Sequence, residues 1–308
     1  MRASTSFALA LASAVLRGAH ASPTPVETWV NTVTQVSASD LSAWAPYTQF
    51  ARAAYCDPSK IQGWNCGEAC DAVPGFTATL TGGDGDSVQY YFVGYWPSQN
   101  SVVVAHQGTD PTQFESDLTD ADIAQENLDA TLFPGVPDDV WVHKGFADEH
   151  AKTAAPILKE VNSLISQYGA TQVVLVGHSL GGALSELESL YMRLNLPASI
   201  HVKGQTYGTP RVGDPNYAAY FDSQVSDFVR INNELDPIPI LPGRFLGFSH
   251  VQGEIHIEST SDAYKCPGDD DATDSQCTIS TVPNIFESDL LDHLGPYQGI
   301  YIGTIYCT

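Results

Sequence analysis

Val173-Val174-Leu175-Val176-Gly177-His178-Ser179-Leu180-Gly181-Gly182 is the stretch that decides how this chain folds. The apolar run from Val173 to Val176 is bounded by turn-type residues, the pattern of a strand buried on both faces of a mostly parallel sheet. Gly177-His178-Ser179-Leu180-Gly181 then carries the Gly-x-Ser-x-Gly spacing of a nucleophile elbow. Such a turn passes sharply from strand to helix with the serine in a strained conformation. A side chain at either flanking glycine would strike neighbouring backbone. Ala183 to Leu194 repeats apolar residues at steps of three and four, so a helix is expected there. Ser179 would stand at its N-terminus, where the macrodipole favours developing negative charge. A Gly-rich turn with an ordinary surface serine would not need a strand before it and a helix after it, and the flanks favour the catalytic reading.

The chain has 308 residues, 43% of them hydrophobic, enough for a sizeable core. Residues 1–21 read as a signal peptide. Arg2 supplies positive charge, Phe7 to Val15 is a short apolar run, and Ala19-His20-Ala21 has the small-x-small form of a cleavage site. The run is too short to span a bilayer, and no later stretch is longer, so a secreted protein starting near Ser22 is expected. The formal charge of −23 disfavours nucleic acid and anionic membranes as partners. The cysteines are Cys56, Cys66, Cys70, Cys266, Cys277 and Cys307, an even set suited to disulfides in an oxidising compartment. Cys66 and Cys70 are close enough for a local loop, as are Cys266 and Cys277, which leaves Cys56 with Cys307. A zinc site at Cys66 and Cys70 lacks a second pair at ligand spacing, and no metal is expected.

Residues 22–38 read as a polar N-terminal arm and 39–308 as one domain. A helix is expected from Asp40 to Tyr55, then strands at Phe76–Leu80, Val88–Tyr95 and Val102–Ala105. Gln107 to Pro137 is a long polar stretch. Val140–Val142 reads as a strand and Phe146–Tyr168 as a helix closing at Gly169. After the elbow come strands Ile200–Tyr207 and Asp227–Asn232, a short helix Tyr217–Phe221 between them, and an alternating Ser249–Ile257 that reads as an edge strand. Strands alternating with helices indicate an α/β sheet covered on both faces.

A serine hydroxyl needs a base, and the base needs a carboxylate to fix its tautomer. In the α/β-hydrolase arrangement these follow the serine in the order acid, then histidine. Asp236 follows a strand and precedes Pro237, and it is favoured over Asp227 and Glu234. His293, near the C-terminus in a loop context, is favoured over His250 and His256, which flank or occupy an apparent strand. Oxyanion donors are expected from the backbone N–H of Leu180 and from Thr109, after the strand that ends at Ala105.

Gly177 to Gly182, Tyr207-Gly208-Thr209-Pro210-Arg211-Val212-Gly213, Asn232 to Pro237, Val142 to Phe146 and Asp292-His293-Leu294 together resemble the fungal class 3 lipases, the family of the filamentous-fungus triacylglycerol lipases and related feruloyl esterases. The resemblance spans most of Asp40 to Thr308. It implies an α/β-hydrolase fold with a mostly parallel central sheet and helices on both faces. It implies Ser179, Asp236 and His293 as triad, Thr109 and Leu180 as oxyanion donors, no cofactor, and a long terminal disulfide with a small early one. Two departures stand out. Gln107-Gly108-Thr109 replaces the family's frequent Arg-Gly-Ser or Arg-Gly-Thr. The stretch resembling the lid reads Asp110-Pro111-Thr112-Gln113-Phe114-Glu115-Ser116, in which Phe114 and Pro111 are the substantial apolar groups. One buried Phe contributes about 1.5–3 kcal/mol, less than a fully amphipathic lid. The expected activity is therefore that of a monomeric secreted lipase with weak interfacial activation at a lipid–water interface, favouring mono- and diacylglycerols. A feruloyl or other cell-wall esterase on the same triad is the alternative. Phe114, Phe133, Leu241, Phe245, Leu246, Phe248, Ile285 and Phe286 are candidate acyl-pocket residues for either.

Overall fold

The computed structural model describes Met1 and residues 32–109, 114, 118, 123–259, 262–270 and 273–308. The expected signal peptide and most of the arm lie outside the described residues. Eleven strands are described in chain order: β1 (Thr34–Gln35), β2 (Thr77–Gly82), β3 (Tyr91–Trp96), β4 (Ser101–His106), β5 (Gln125–Asn127), β6 (Trp141–His143), β7 (Gln172–His178), β8 (His201–Tyr207), β9 (Asp227–Asn233), β10 (Glu254–Ser259) and β11 (Asp262–Lys265). Nine of them form one sheet in the order β1-β11-β10-β9-β8-β7-β4-β3-β2, while β5 and β6 pair separately. From β4 to β10 the pairing is parallel. Antiparallel strands close both margins.

The runs Val102–Ala105 of β4 and Val173–Val176 of β7 are apolar because both of their faces are covered, whereas β8 and β9 bury polar residues such as Gln205 and Arg230. Val102, Val104, Val173 and Leu175 pack into one core with the helices Lys144–Tyr168 and Leu180–Asn195. Val103, Ala105, Val174 and Val176 pack into the other with the helix Ala38–Ala53. Neighbouring residues alternate between the two cores, so these period-2 runs carry no polar position. Ser37 caps the Ala38–Ala53 helix by accepting from the Asp40 N–H at 3.1 Å.

Three sequence expectations change. The last residues of the expected arm belong to the sheet: β1 pairs with β11, and Val36 is buried. The Ser249–Ile257 strand is shorter and is not an edge, since β10 lies between β9 and β11. Its inward polar residues are satisfied by the chain that follows. Glu254 accepts from the N–H and hydroxyl of Thr278, each at 2.8 Å. The start of the expected Val88–Tyr95 strand is a turn tied down by Asp84, which accepts from the Val88 N–H at 2.9 Å. Disulfides join Cys56 to Cys307, Cys66 to Cys70, and Cys266 to Cys277.

Candidate active site

Ser179 sits between β7 and the Leu180–Asn195 helix with φ 61° and ψ −130°. For a non-glycine residue that conformation is strained, and it holds only because the surroundings fix it. The flanking glycines are sterically required. A Cβ on Gly177 would come within 2.0 Å of the Gly181 carbonyl oxygen, and one on Gly181 within 2.2 Å of the His106 carbonyl oxygen. β4 thus passes tightly under the turn. Leu180 is the first residue of the helix, so its N–H has no carbonyl one turn earlier to bond.

Asp236 and His293 lie on two loops stitched together. Asn233 donates to the Asp292 carbonyl at 3.0 Å, the Leu235 N–H to the Asp292 carboxylate at 3.0 Å, and the Asp289 N–H to the Leu235 carbonyl at 2.9 Å. His293 Nδ1 meets Asp236 Oδ2 at 2.8 Å, with both side chains fully buried. A carboxylate accepts, so Nδ1 carries the proton and the neutral ring keeps its lone pair on Nε2. The other Asp236 oxygen accepts from the Ile238 N–H at 2.8 Å. Among the described residues, neither His293 Nε2 nor Ser179 Oγ has a hydrogen-bond partner, though both are buried. Their rings and turns are close. The His293 ring lies 4.3 Å from that of His178, the residue preceding Ser179. A Cβ on Gly208, which has φ 51°, would stand 2.8 Å from His293 Cε1 and 2.7 Å from Asp236 Oδ2.

Three side chains that the sequence reading did not assign hold this arrangement. His178 Nε2 is 2.7 Å from the His293 carbonyl and must donate to it, so Nδ1 accepts from the Tyr55 hydroxyl at 2.7 Å. Burial, reinforced by the neighbouring His293, holds the His178 imidazole well below its ordinary value, and the ring stays neutral. Tyr297 donates to the same His293 carbonyl at 3.1 Å. Tyr297 was visible four residues after His293, but nothing in its spacing marks a second donor aimed at that carbonyl. Tyr55 stood only as the last residue of an expected helix. The rejected histidines are structural: His250 Nε2 reaches the Pro239 carbonyl and both His256 nitrogens reach backbone carbonyls.

Thr109 is half-buried and follows Gly108, whose Cβ would stand 2.9 Å from Ser179 Cβ. Where the family often has Arg, Gln107 is buried and its side chain accepts from the Tyr90 N–H at 2.9 Å. That bond anchors the strand end without a charge. Of the lid stretch, Asp110 to Gln113, Glu115 and Ser116 lie outside the described residues. Phe114 is buried, its ring 6.1 Å from that of Phe146. A cavity of about 490 Å³ opens beside the loop after Asp236, lined by Leu118, Ile240, Leu241, Leu246, Val282 and Ile285 with Phe245 at its edge. Phe133 and Phe248 are buried in the core and do not line it, and Phe286 points to solvent.

A second His–carboxylate pair lies beneath the elbow. His150 Nε2 is 2.8 Å from Glu188 Oε2, with both side chains fully buried, and His106 Nε2 is 3.9 Å from the same oxygen. Burial, with His150 adjoining, pushes the His106 imidazole down to about 3, so it stays neutral.

A class 3 lipase family model matches residues 103–246, which include Ser179 and Asp236 and end before His293. A secreted mono- and diacylglycerol lipase of Malassezia globosa is 30% identical over 230 residues, covering 74% of this chain and 73% of its own. The chain belongs to the class 3 lipases. A second such Malassezia globosa lipase is 29% identical over 268 residues, covering 86% and 83%. The solved Rhizomucor miehei lipase, in complex with its propeptide, has a TM-score of 0.76 at 28% identity over 94% of this lipase and 92% of that chain. Among the described residues, no helix of this lipase is long and apolar enough to cross a membrane.

Proposed function

We propose that this class 3 lipase is secreted and hydrolyses mono- and diacylglycerols through an acyl-enzyme on Ser179, as a monomer. The observation that carries the reading is the buried His293–Asp236 contact at 2.8 Å, with His293 Nε2 and Ser179 Oγ both buried and, among the described residues, without a hydrogen-bond partner. In the first half-reaction His293 Nε2 takes the Ser179 proton as Oγ bonds to the ester carbonyl carbon. The resulting imidazolium, held by Asp236, then protonates the departing glycerol oxygen. Water activated by the same nitrogen adds to the acyl carbon, and Ser179 leaves with its proton restored. The N–H groups of Leu180 and Thr109 receive the negative charge on the carbonyl oxygen in each tetrahedral state. The acyl chain occupies the cavity beside Ile240 and Leu241. The preference for partial glycerides follows the Malassezia relatives and the weakly apolar stretch Asp110 to Ser116. A signal peptide at 1–21 and a single catalytic domain that includes β1 of the main sheet belong to the same reading.

A fluorophosphonate probe should label the wild type and not Ser179→Ala. Side-by-side hydrolysis of a diacylglycerol, a triacylglycerol and methyl ferulate tests the substrate. Turnover of the ferulate in preference to both glycerides would favour the cell-wall esterase. A rate that jumps at the substrate's solubility limit would contradict weak interfacial activation.

A further inference from the structure

Ile240 and Leu241 of the cavity wall belong to residues 237–242, which directly follow Asp236. Three of these six residues are prolines, which have no N–H, so a strand ladder cannot hold the segment. Side chains and one N–H hold it by its carbonyls instead, four in a row. His250 Nε2 donates to the Pro239 carbonyl at 2.7 Å, and the Arg211 N–H to that of Leu241 at 2.8 Å. Arg211 Nη1 donates to the carbonyl of Ile240 and, at 2.9 Å, to that of Pro242. One carboxylate stands behind both donors. Asp270 Oδ1 accepts from Arg211 Nε at 2.9 Å and Nη2 at 2.8 Å, and Oδ2 accepts from the His250 N–H at 2.9 Å and the Ser249 hydroxyl at 3.2 Å. The Asp270 side chain is 10% exposed and that of Arg211 2%, so solvent ions screen the pair little. Asp270 reaches in from the loop that Cys266 and Cys277 close, and just past Cys277 the residues Ile279 and Val282 line the same cavity.

We propose that Asp270 is a positioning residue for the acyl chain, holding the wall formed by residues 239–242 against it through Arg211 and His250. This rests on the lipase reading above, which places the acyl chain in that cavity. An apolar chain is held only by atoms in contact with it, and a radial gap of about 0.5–1 Å already forfeits about a quarter to a half of the attraction. The position of the wall therefore sets how tightly a long chain is gripped. Asp236 does not depend on this brace. It accepts from the Ile238 N–H at 2.8 Å, and its loop is tied to that of His293 by the bond from Asn233 to the Asp292 carbonyl at 3.0 Å. Asp270 thus acts on the grip of the chain, while the triad acts on the ester carbonyl. A two-carbon acyl group has almost no chain to lay against the wall, whereas an eight-carbon one does.

The test compares p-nitrophenyl octanoate with p-nitrophenyl acetate, both below their solubility limits. Rates are taken per fluorophosphonate-labelled site, so that unfolded protein is not counted. Asp270→Asn should lower the octanoate-to-acetate ratio of kcat/KM by about tenfold, the equivalent of about two CH₂ groups losing contact, with the loss on octanoate carried by KM. Asp227→Asn is the control. Asp227 is fully buried and paired with Lys203 at 2.9 Å, but it lies at the far end of β9 from Asp236. Its loss loosens the fold and should leave the ratio unchanged. If Asp270→Asn does not fold, Cys266→Ala with Cys277→Ala keeps the carboxylate but frees its loop, and should move the ratio the same way. An unchanged ratio in the variant that folds overturns the proposal, as does an equal fall in Asp227→Asn. A loss carried by kcat alike on both esters would tie Asp270 to the triad and also overturn it. Failure of the lipase reading looks different: the wild type itself takes no fluorophosphonate label.

Discussion

Two buried histidine–carboxylate pairs in this molecule share a 2.8 Å separation and complete burial, yet their surroundings assign them opposite work. At His293–Asp236 the carboxylate takes N–H bonds on both oxygens, from His293 and from Ile238. The ring binds through Nδ1, so Nε2, though buried, is left unpartnered among the described residues. At His150–Glu188 the ring approaches through Nε2. Among the described residues, neither Glu188 oxygen has a partner in hydrogen-bond geometry, and Ser179 is the one serine with a positive φ. The lesson is that the residue pair does not make a catalytic base. The nitrogen used, the second ligand of the carboxylate and the strained serine nearby make it.

The comparison can be broken by mutation. Ser179→Ala should lower kcat by on the order of 10⁶ with the thermal midpoint nearly unchanged, measured by diacylglycerol hydrolysis and calorimetry. Asp236→Asn should cost about 10⁴, because the amide stabilises the wrong imidazole tautomer. A third effect concerns stability and sharpens the picture of the helix that follows Ser179. Burial pushes the Glu186 carboxyl up to about 8 from 4.5, against the pull of the Arg230 guanidinium. Between those values the folded protein holds a proton that the unfolded chain has released. Stability therefore falls as pH rises through that window, by at most about 1.4 kcal/mol per unit of separation. Urea midpoints from pH 5 to 8 should show this decline, and Glu186→Gln should flatten it. The smallest effect is on turnover by Glu188→Gln, which should leave kcat within about threefold while lowering stability by about 1–3 kcal/mol. A loss of activity rivalling that of Asp236→Asn would erase the distinction between the two pairs.

Much of this was legible before any coordinates. The elbow announced itself because the run Val173–Val176, covered on both faces, has no polar residue, and because Gly177 and Gly181 have no steric alternative. Asp236 was legible from its place after β9, and His293 by the exclusion of histidines that sit in or beside a strand. The edge assignment of Ser249–Ile257 failed because alternation reports two unlike faces, and here the polar face is covered by the chain around Thr278 rather than by water. Tyr55, His178 and Tyr297 were not legible as a unit. They converge on the His293 carbonyl through tertiary packing, across 123 residues from Tyr55 to His178 and 115 from His178 to His293, with no shared spacing. Phe245 does line the cavity, whereas Phe286 looked like pocket lining because hydrophobicity does not say which way a side chain points.

The bond from Cys56 to Cys307 closes a ring of backbone in which Ser179, Asp236 and His293 are all enclosed. An extracellular peptidase that cuts one exposed loop inside that ring leaves a single covalent molecule, open but undivided. Such a nick would be invisible by mass on a non-reducing gel and would appear as two fragments once thiol is added. A lipase so built tolerates one cleavage without shedding any of these three residues.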